Sequence, residues 1–370
     1  MEMIRLLFKI GFIYHKAAMD PLIDAFAGDP KYDIAISLEE ERMKKWGIFN
    51  RPAGDKFGNI IDDGRFRITD ENERFDVIIV GDTIRDAAKY GGTLLCFINH
   101  GTGIKNILYR NLKRHAGTKY MIFVEGDYRV EKLKESGCLG ESEVFKVGLP
   151  KLDPYFLEGY FNREKILSKY NLNPKKKTVL FAPTYKPTCM YEVKDHIFTE
   201  TRDYNLIIKL HHYSWMGKYA PHRQHKMFEK RVAEYPHSVL IPVEDYNILS
   251  LMAAADTLIS EASSTVFDFL AMNKTGIIFD LEYEKMKHSN GEYVLTTDNR
   301  EFLKGAFVHI NKPSQISDAI MQALNPTKEM IELADGYRKY FFHRLDGRAS
   351  FRVKTEVERL LKEGTHFSIV

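Results

Sequence analysis

The chain has 370 residues, with 54 lysines and arginines against 51 aspartates and glutamates, so its formal net charge is +3. Hydrophobic residues make up 44% and charged residues 28%, the balance of an ordinary globular protein, which excludes wholesale disorder. Length alone favours two domains, and a charge this close to neutral gives no argument for nucleic-acid binding.

The first residues and the cysteines bear on the compartment. The apolar opening, residues 1–14, is interrupted by Arg5 and Lys9 and lacks the run of roughly 18 apolar residues that indicates a transmembrane helix. It also lacks a signal-peptide pattern, and its alternation around Lys9 predicts a first buried strand. The 3 cysteines are odd in number and widely spaced, which argues against a disulfide framework or zinc ribbon and favours the cytoplasm.

Short β-branched or apolar runs recur along the chain and predict strands. Several are apolar without a break, as expected of parallel strands that are buried on both faces. Helical segments separate them, and this alternation indicates parallel sheets covered by helices. The predicted strands cover residues 8–14, 32–37, 76–80, 93–98, 120–124, 144–147, 178–181, 206–210, 238–241, 257–259 and 275–279, and the clearest helices cover 163–170, 246–254 and 264–272.

The strand series is interrupted between residues 148 and 177, where prolines and a helix intervene. We therefore expect a first domain at 1–155, a second at 156–345, and a C-terminal segment at 346–370 whose helix packs back towards the first domain. The predicted fold class is α/β, with two doubly wound Rossmann-like domains and a cleft between them. Because such sheets bind ligands at the carboxyl ends of their strands, the loops after strands are the candidate sites.

One such loop contains His100, Gly101, Thr102, Gly103 and Lys105 directly after a predicted strand. Glycines let backbone N–H groups approach a ligand, and the start of the following helix favours anions. A histidine here can act as a general base near neutral pH. The alternative is a tight strand–helix turn with a solvent-facing histidine.

Two later strands end in polar groups. Thr184 and Lys186 offer a hydroxyl and a cation, although an ordinary turn with a surface lysine has the same pattern. Lys209 and His211 fall on one face of the next strand if its alternation continues, with His212 on the other. We interpret His211 as a phosphate ligand.

The loop after residue 259 has the strongest pattern. Ser263 or Ser264 is a natural N-cap of the helix that follows, and Glu261 precedes the turn. Free backbone N–H groups and the helix dipole make such a turn suitable for a pyrophosphate, although every helix needs a cap.

Several established motifs are absent from the sequence. It has no G-x-G-x-x-G, no G-x-x-x-x-G-K-[ST], no G-x-S-x-G and no D-x-D pair, which argues against dehydrogenases, P-loop enzymes, serine hydrolases and metal-chelated nucleotide-sugar transfer. The adjacent histidines 211 and 212 point apart, and His222 and His225 lie in a basic polar stretch. We therefore expect no metal site.

Taken together, the loops resemble those of the CDP-glycerol glycerophosphotransferase family, the teichoic-acid primases and polymerases, which have a GT-B type fold. The likeness covers roughly residues 90–355, and the block 256–279 is its most specific part. The matching motifs are His100-Gly101-Thr102 with Lys105, residues 148–153 with Lys151 and Asp153, residues 182–186, Lys209-Leu210-His211, residues 256–268, and residues 346–350 with Arg352.

The resemblance implies transfer of a polyol phosphate, first of all glycerol phosphate, from a CDP-polyol to an acceptor hydroxyl with release of CMP. It gives His100 the role of general base and His211 that of stabilising phosphate charge. The implied acceptor is a lipid-linked saccharide or polymer in teichoic-acid or capsule synthesis, with no metal or other cofactor and no nucleic acid. The residues implied to bind substrate are Gly101, Thr102, Lys105, Lys151, Asp153, Thr184, Lys186, Lys209, Glu261, Ser263, Ser264, Asp268 and Arg352.

The sequence also departs from the family pattern. Gly103 replaces the usual proline, and Lys151 and Lys186 stand where the family has arginine, which keeps the charge and loses bidentate phosphate recognition. Glu261 replaces aspartate, and His212 replaces proline. These changes leave the polyol and the acceptor open.

Two other functions fit the same loops. One is a GT-B glycosyltransferase that uses a nucleotide sugar, and the other is a binding protein without activity. The presence of both His100 and His211 argues against the second. The basic stretches 110–115 and 218–230 suggest peripheral contact with the inner face of the cell membrane, although a solvated helix face gives the same pattern.

Overall fold

The structure is a computed structural model that divides the chain into two compact units. Unit 1 comprises Met1–Gly101, Asn106–Phe156 and Lys339–Val370, and unit 2 comprises Thr102–Lys105 and Leu157–Arg338. The residues that the structure describes are 3–38, 42–45, 49–52, 64–84, 87–215, 224–287, 291–295 and 301–364.

The described residues contain fifteen strands, numbered here along the chain. In unit 1 they are β1 Ile4–Ile10, β2 Tyr32–Leu38, β3 Arg42–Lys45, β4 Phe49–Pro52, β5 Arg67–Ile68, β6 Val77–Val80, β7 Leu94–Ile98, β8 Met121–Val124 and β9 Glu143–Lys146. In unit 2 they are β10 Thr178–Phe181, β11 Asn205–Ile208, β12 Ser238–Leu240, β13 Thr257–Ser260, β14 Ile277–Phe279 and β15 Val308–Ile310.

Twelve α-helices accompany the strands in the described part of the chain. They are α1 Ile13–Ala27, α2 Ile107–Arg114, α3 Asp127–Ser136, α4 Arg163–Lys169, α5 Met190–Val193, α6 His196–Thr199, α7 His225–Val232, α8 Leu249–Ala254, α9 Ser264–Ala271, α10 Ile316–Leu324, α11 Lys328–Phe341 and α12 Ala349–Glu363.

Unit 1 is built on a seven-stranded sheet with the order β5-β2-β1-β6-β7-β8-β9, all parallel, beside the separate antiparallel hairpin β3-β4. Neighbouring side chains of β1 point to opposite faces of this sheet. Leu7 joins the core that includes Leu112 and Tyr120, while the ring of Phe8 lies 6.2 Å from that of Phe26 in α1. Helices α1 and α12 pack together.

Unit 2 has a six-stranded parallel sheet with the order β12-β11-β10-β13-β14-β15. All four residues of each of β10, β11 and β13 are buried, and the two central residues of each strand are apolar, as expected of parallel strands covered on both faces. The strand order reverses between β10 and β13, and in doubly wound sheets this is the place where ligands bind. In unit 1 the order reverses between β1 and β6.

The predicted fold class is confirmed, because each unit has a parallel sheet with helices. The first strand was placed wrongly: it ends at Ile10, and Tyr14 already belongs to α1. Strand β15 has three residues and was not predicted. The domain limits at 155 and 345 stay predictions.

Crossing a bilayer takes a long apolar helix, and none of the helices in the described ranges meets that requirement.

Candidate functional site

The candidate base, His100, lies in unit 1 just after β7. Its Nδ1 atom is 3.3 Å from the carbonyl oxygen of Gly81, which directly follows β6. A carbonyl oxygen can only accept a hydrogen bond, so the proton belongs on Nδ1 and the lone pair on Nε2. The imidazole is therefore in the tautomer that a general base requires.

Two rings from the start of α1 surround His100. The ring centroid of Tyr14 lies 4.7 Å from that of His100, and the centroid of His15 lies 5.1 Å from it. His15 is 2% exposed. Neither residue was predicted from the sequence, although an aromatic residue and a histidine directly after the first strand were a usable signal.

The electrostatic surroundings of His100 favour its neutral form. Burial lowers the pKa of His100, and the nearby charges of Lys151 and Arg129 lower it further. The carboxylate of Asp82 and the carbonyl of Gly81 oppose this shift of the pKa. A neutral imidazole with a free Nε2 can take a proton at neutral pH. The structure thus brings Lys151 close to His100, as members of one predicted site.

Asp153 lies elsewhere in unit 1, at the start of the C-terminal helix. Its two carboxylate oxygens accept hydrogen bonds from the backbone N–H groups of Ala349, at 2.9 Å, and Ser350, at 2.7 Å. Both groups belong to the first turn of α12, so Asp153 caps this helix. Its predicted contact with substrate stays untested.

Arg352 holds the same region together. It donates from Nε to the carbonyl of Val147 at 2.6 Å and forms an ion pair with Asp346 at 2.9 Å. Gly148 lies beside it, with φ +95°, and a Cβ there would come 2.8 Å from the carbonyl oxygen of His343. The two motifs that contain Asp153 and Arg352 therefore pack against each other inside unit 1.

The turn before α9 is the centre of the candidate site in unit 2. Ser263 is the N-cap of α9, and its side chain accepts a hydrogen bond from the backbone N–H of Thr265 at 3.3 Å. Ser264 is the first residue of the helix. The predicted capping is confirmed, and the first-turn N–H groups give the turn a positive end.

Glu261 ties this turn to the loop after β10. It is 1% exposed and accepts hydrogen bonds from the backbone N–H of Thr184 at 2.8 Å and from its hydroxyl at 2.9 Å. The thiol of Cys189 lies 3.3 Å from the other carboxylate oxygen. Burial raises the pKa of Glu261, and these hydrogen bonds oppose the shift. The two loops at the reversal of strand order are thus fixed to each other.

Lys105 contributes a cation to the same part of unit 2. Desolvation lowers its pKa, while the negative charge of Glu261 raises it. Lys105 makes no hydrogen bond or ion pair with any of the described residues, and its side chain is half-buried. An ammonium in this setting is available to an anionic ligand.

The loop after β11 carries two more predicted residues. Strand β11 ends at Ile208, so strand alternation does not decide how the next residues point. Lys209 is 8% exposed, its ammonium donates to the carbonyl of Leu210 at 3.3 Å, and burial lowers its pKa to about 8. The ring of His211 lies 4.8 Å from that of Tyr185, and its Nδ1 accepts from the N–H of Tyr213 at 3.2 Å.

The remaining predicted residues differ in exposure. Lys186 is exposed, whereas Asp268 is fully buried within α9, where no substrate reaches it without movement. Thr102 belongs to unit 2, and its buried hydroxyl finds no hydrogen-bond partner among the described residues. Gly101 is the last residue of the adjoining part of unit 1.

A cavity of about 540 Å³ in unit 2 was also not predicted. It extends from Ala262, in the turn before α9, to the ends of β14 and β15. His309 lines it, with Nδ1 at 3.0 Å from Asp280 and with Nε2 buried and unpaired among the described residues.

No group of three or more His, Cys, Asp or Glu side chains within the described ranges is arranged to hold a metal ion. His222 lies outside those ranges. Burial lowers the pKa of His212 to about 3.

The profile of the family named "CDP-Glycerol:Poly(glycerophosphate) glycerophosphotransferase" matches residues 97–359. The chain is 26% identical over 226 residues to the teichoic acid poly(ribitol-phosphate) polymerase of Bacillus spizizenii, a match of 58% of this chain and 33% of the relative. It is 28% identical over 165 residues to the teichoic acid glycerol-phosphate primase of Bacillus subtilis, covering 43% of this chain and 39% of the relative. The match thus spans well under half of either relative.

Solved structures share the fold. The wall teichoic acid polymerase TagF superposes with a TM-score of 0.66 at 16% identity, covering 97% of this chain and 89% of that chain. A putative UDP-N-acetylglucosamine 2-epimerase from Listeria monocytogenes gives a TM-score of 0.61 at 13% identity, covering 99% of each chain. At this identity the likeness concerns the fold alone. Because the profile match covers most of the sequence, the chain belongs to the CDP-glycerol:poly(glycerophosphate) glycerophosphotransferase family.

Proposed function

We propose that this protein transfers a polyol phosphate, with glycerol phosphate as the first candidate, from a CDP-polyol to an acceptor hydroxyl and releases CMP. The reaction would serve the synthesis of a teichoic-acid-like or capsular polymer. The observation that carries the proposal is the half-buried ring of His100, whose Nδ1 lies 3.3 Å from the carbonyl oxygen of Gly81 and whose pKa is lowered by desolvation. Family membership supports the same reaction class.

His100 is the proposed general base. Its Nε2 takes the proton of the acceptor hydroxyl as the hydroxyl oxygen bonds to the phosphorus that carries the polyol. The bond from that phosphorus to the oxygen bridging to CMP breaks, and its electron pair leaves with CMP. The lowered pKa of His100 supports this role, because the base is then unprotonated at neutral pH.

Unit 2 is the proposed donor-binding unit. The α9 N-terminus, Lys105 and Lys209 supply positive charge for the diphosphate, and His211 is the proposed partner of the leaving phosphate. Since these groups can neutralise the leaving charge, the proposed mechanism uses no metal ion. We assign the polyol to the cavity that begins at Ala262, whose lining includes the polar side chains of Asp280 and His309.

The proposed acceptor is a lipid-linked saccharide or polymer at the inner face of the cell membrane. Helix α2 supports peripheral contact, since Ile107 at its start is 41% exposed and Lys113 and Arg114 at its end are exposed. Flotation with vesicles of phosphatidylglycerol and phosphatidylcholine tests this contact. Replacing Lys113 and Arg114 by glutamine should lower the fraction of protein bound to these vesicles at least twofold. Equal flotation with vesicles of phosphatidylcholine alone would contradict the proposed membrane contact.

Donor chemistry is tested by titration calorimetry and by CMP release. The full chain should bind CDP at least tenfold more tightly than UDP or GDP, and it should release CMP from CDP-glycerol in the presence of a synthetic lipid-linked disaccharide that bears one glycerol phosphate. Preference for UDP would support a nucleotide-sugar glycosyltransferase instead. Absence of CMP release from both CDP-glycerol and CDP-ribitol would refute the proposed reaction.

A further inference from the structure

Gly81 and His15 meet next to the candidate base of unit 1. A Cβ built on Gly81 would lie 2.8 Å from Cγ and from Cδ2 of the His15 ring, and 3.1 Å from its Nδ1. Real Cβ atoms do not approach other atoms this closely, so an alanine at position 81 would force the ring away. The imidazole of His15 thus lies directly on the backbone of Gly81.

The backbone conformation of Gly81 does not itself require glycine. Gly81 is not among the residues with positive φ, whereas Gly92, later in the same connection between β6 and β7, has φ +79°. Most other side chains could adopt the conformation of Gly81 if the neighbouring space were empty. The reason for glycine at this position is therefore the ring of His15.

The carbonyl of the same residue holds His100. The oxygen of Gly81 lies 3.3 Å from Nδ1 of His100, and the ring of His15 lies 5.1 Å from the ring of His100. His15 also contacts Tyr14 edge-on, with ring centroids 4.7 Å apart, and the ring of Tyr14 lies 4.7 Å from that of His100. Gly81 therefore packs against the ring of His15, and its carbonyl oxygen accepts a hydrogen bond from the ring of His100.

We infer that Gly81 and His15 are positioning residues, which set the direction of the Gly81 carbonyl and thereby keep Nδ1 of His100 protonated and Nε2 free. The inference rests on the proposed function, in which Nε2 of His100 takes the acceptor proton. Neither residue touches the reacting atoms. Their effect reaches the reaction through the tautomer and the orientation of one ring.

The charged and titratable groups near His100 come from several elements, and they include the rings of Tyr14 and His15 from α1. Asp82 follows Gly81, while Lys151 and Arg129 act from the segments after β9 and β8. The carbonyl of Gly81 raises the pKa of His100, so its loss would lower that pKa and move the acid limb of the activity profile to lower pH. A general loss of structure would not produce this shift.

Gly81→Ala is the first test variant, and Gly117→Ala is its matched control. A Cβ at Gly117 would meet no atom within 4 Å, so this variant should keep full activity. In Gly81→Ala, kcat for CMP release should fall at least tenfold while KM for the CDP-polyol changes less than twofold. Wild-type kcat in Gly81→Ala, or a loss confined to KM, would overturn the inference.

Combining His15→Ala with Gly81→Ala tests whether the two residues act through their shared contact. His15→Ala removes the ring that an added Cβ would strike, so Gly81→Ala should have little further effect in that background. His15→Phe, which keeps a ring, should retain at least a third of the activity. Independent losses that multiply in the double variant would contradict a shared contact.

A measurement without turnover keeps the test independent of the proposed reaction. Side-chain ¹⁵N spectra of histidine-labelled protein, assigned with His100→Gln, report which ring nitrogen carries the proton. Wild type should show Nδ1 protonated and Nε2 free, and Gly81→Ala should show a mixture of the two tautomers. Identical spectra for the two proteins would overturn the inference even if CMP release were confirmed. If wild type released no CMP, the proposed function would fail while the spectra still decided this point.

Discussion

His100 in unit 1 and the turn before α9 in unit 2 both follow the carboxyl end of a buried strand, close to the place where the strand order reverses. Their surroundings are opposite. His100 lies among rings and a backbone carbonyl, and burial lowers its pKa. The turn before α9 combines a helix N-terminus with the cation of Lys105, whose charge interacts with Glu261. Lys209 adds a second cation to unit 2, on the loop after β11.

This difference matches two chemical needs. A general base works only while it is unprotonated, and desolvation secures this form of an imidazole. A diphosphate needs positive charge and N–H donors, which a helix start and lysine side chains provide. The proposed roles predict that changes near His100 alter turnover, whereas changes near the turn before α9 alter donor affinity.

The largest effect is expected from His100→Ala. Loss of the base should lower kcat for CMP release by about 10³-fold, with the Kd for CDP changed less than twofold, because general-base catalysis contributes about 10²–10⁴. Calorimetry and a CMP assay measure the two quantities. His196→Ala, at an exposed position, is the control and should match wild type. A tenfold higher Kd for CDP with an unchanged kcat in His100→Ala would contradict the proposed division of roles between the two units.

Lys105→Met should act in the opposite way. Removing the ammonium near the α9 turn should weaken CDP binding by roughly 10- to 100-fold, since charge-assisted hydrogen bonds to phosphate are the strong ones. The fold should persist, because Lys105 has no ion-pair partner within the described residues. Lys226→Met, at an exposed site, serves as control. Unchanged affinity for CDP would remove Lys105 from the donor site.

Asp153→Ala tests whether the residue caps a helix or binds substrate. Two backbone N–H groups of α12 would lose their acceptor, so the free energy of unfolding should drop by about 2 kcal/mol in urea denaturation. Asp153→Asn retains one acceptor and should cost less. If Asp153→Ala had the stability of wild type but bound CDP more weakly, the result would favour the substrate contact predicted from the sequence.

Asp82→Asn should give the smallest effect. The Asp82 carboxylate raises the pKa of His100, so its neutralisation should lower that pKa. The unprotonated base then persists to lower pH, and the acid limb of kcat/KM moves in that direction. At pH 8 the rate should fall by about threefold or less, because a weaker base is only slightly less reactive. A limb that moves to higher pH would contradict the charge arrangement.

The sequence located most loops of the candidate site because parallel strands end at one edge of a sheet. His100, Thr184 and Glu261 follow apolar runs that are easy to recognise, and Ser263 caps α9 as predicted. The start of α1 was wrongly predicted as strand, and the reason lies in the local sequence. The run from Phe8 to Tyr14 has strand propensity, but the strand ends at Ile10 and α1 begins at Ile13.

Other features depend on contacts that no local pattern encodes. Asp153 caps a helix that starts 196 residues later, so its motif alone could not distinguish capping from ligand binding. Gly81 looks like any loop glycine until the ring of His15 is placed against it. His309 is one residue of a three-residue edge strand, too short for its periodicity to be detected.

The thiol of Cys189 offers a way to follow the turn before α9 chemically. The chain has 3 cysteines, all buried, and Cys189 is the one whose thiol touches Glu261. Burial and this carboxylate raise the pKa of Cys189. We therefore expect iodoacetamide to alkylate this thiol only when the loops after β10 and β13 separate. The labelling rate of Cys189 should therefore report how often these two loops separate. A nucleotide that binds both loops should lower this rate. Cys96 and Cys138 lie in unit 1, and their labelling reports on that unit separately.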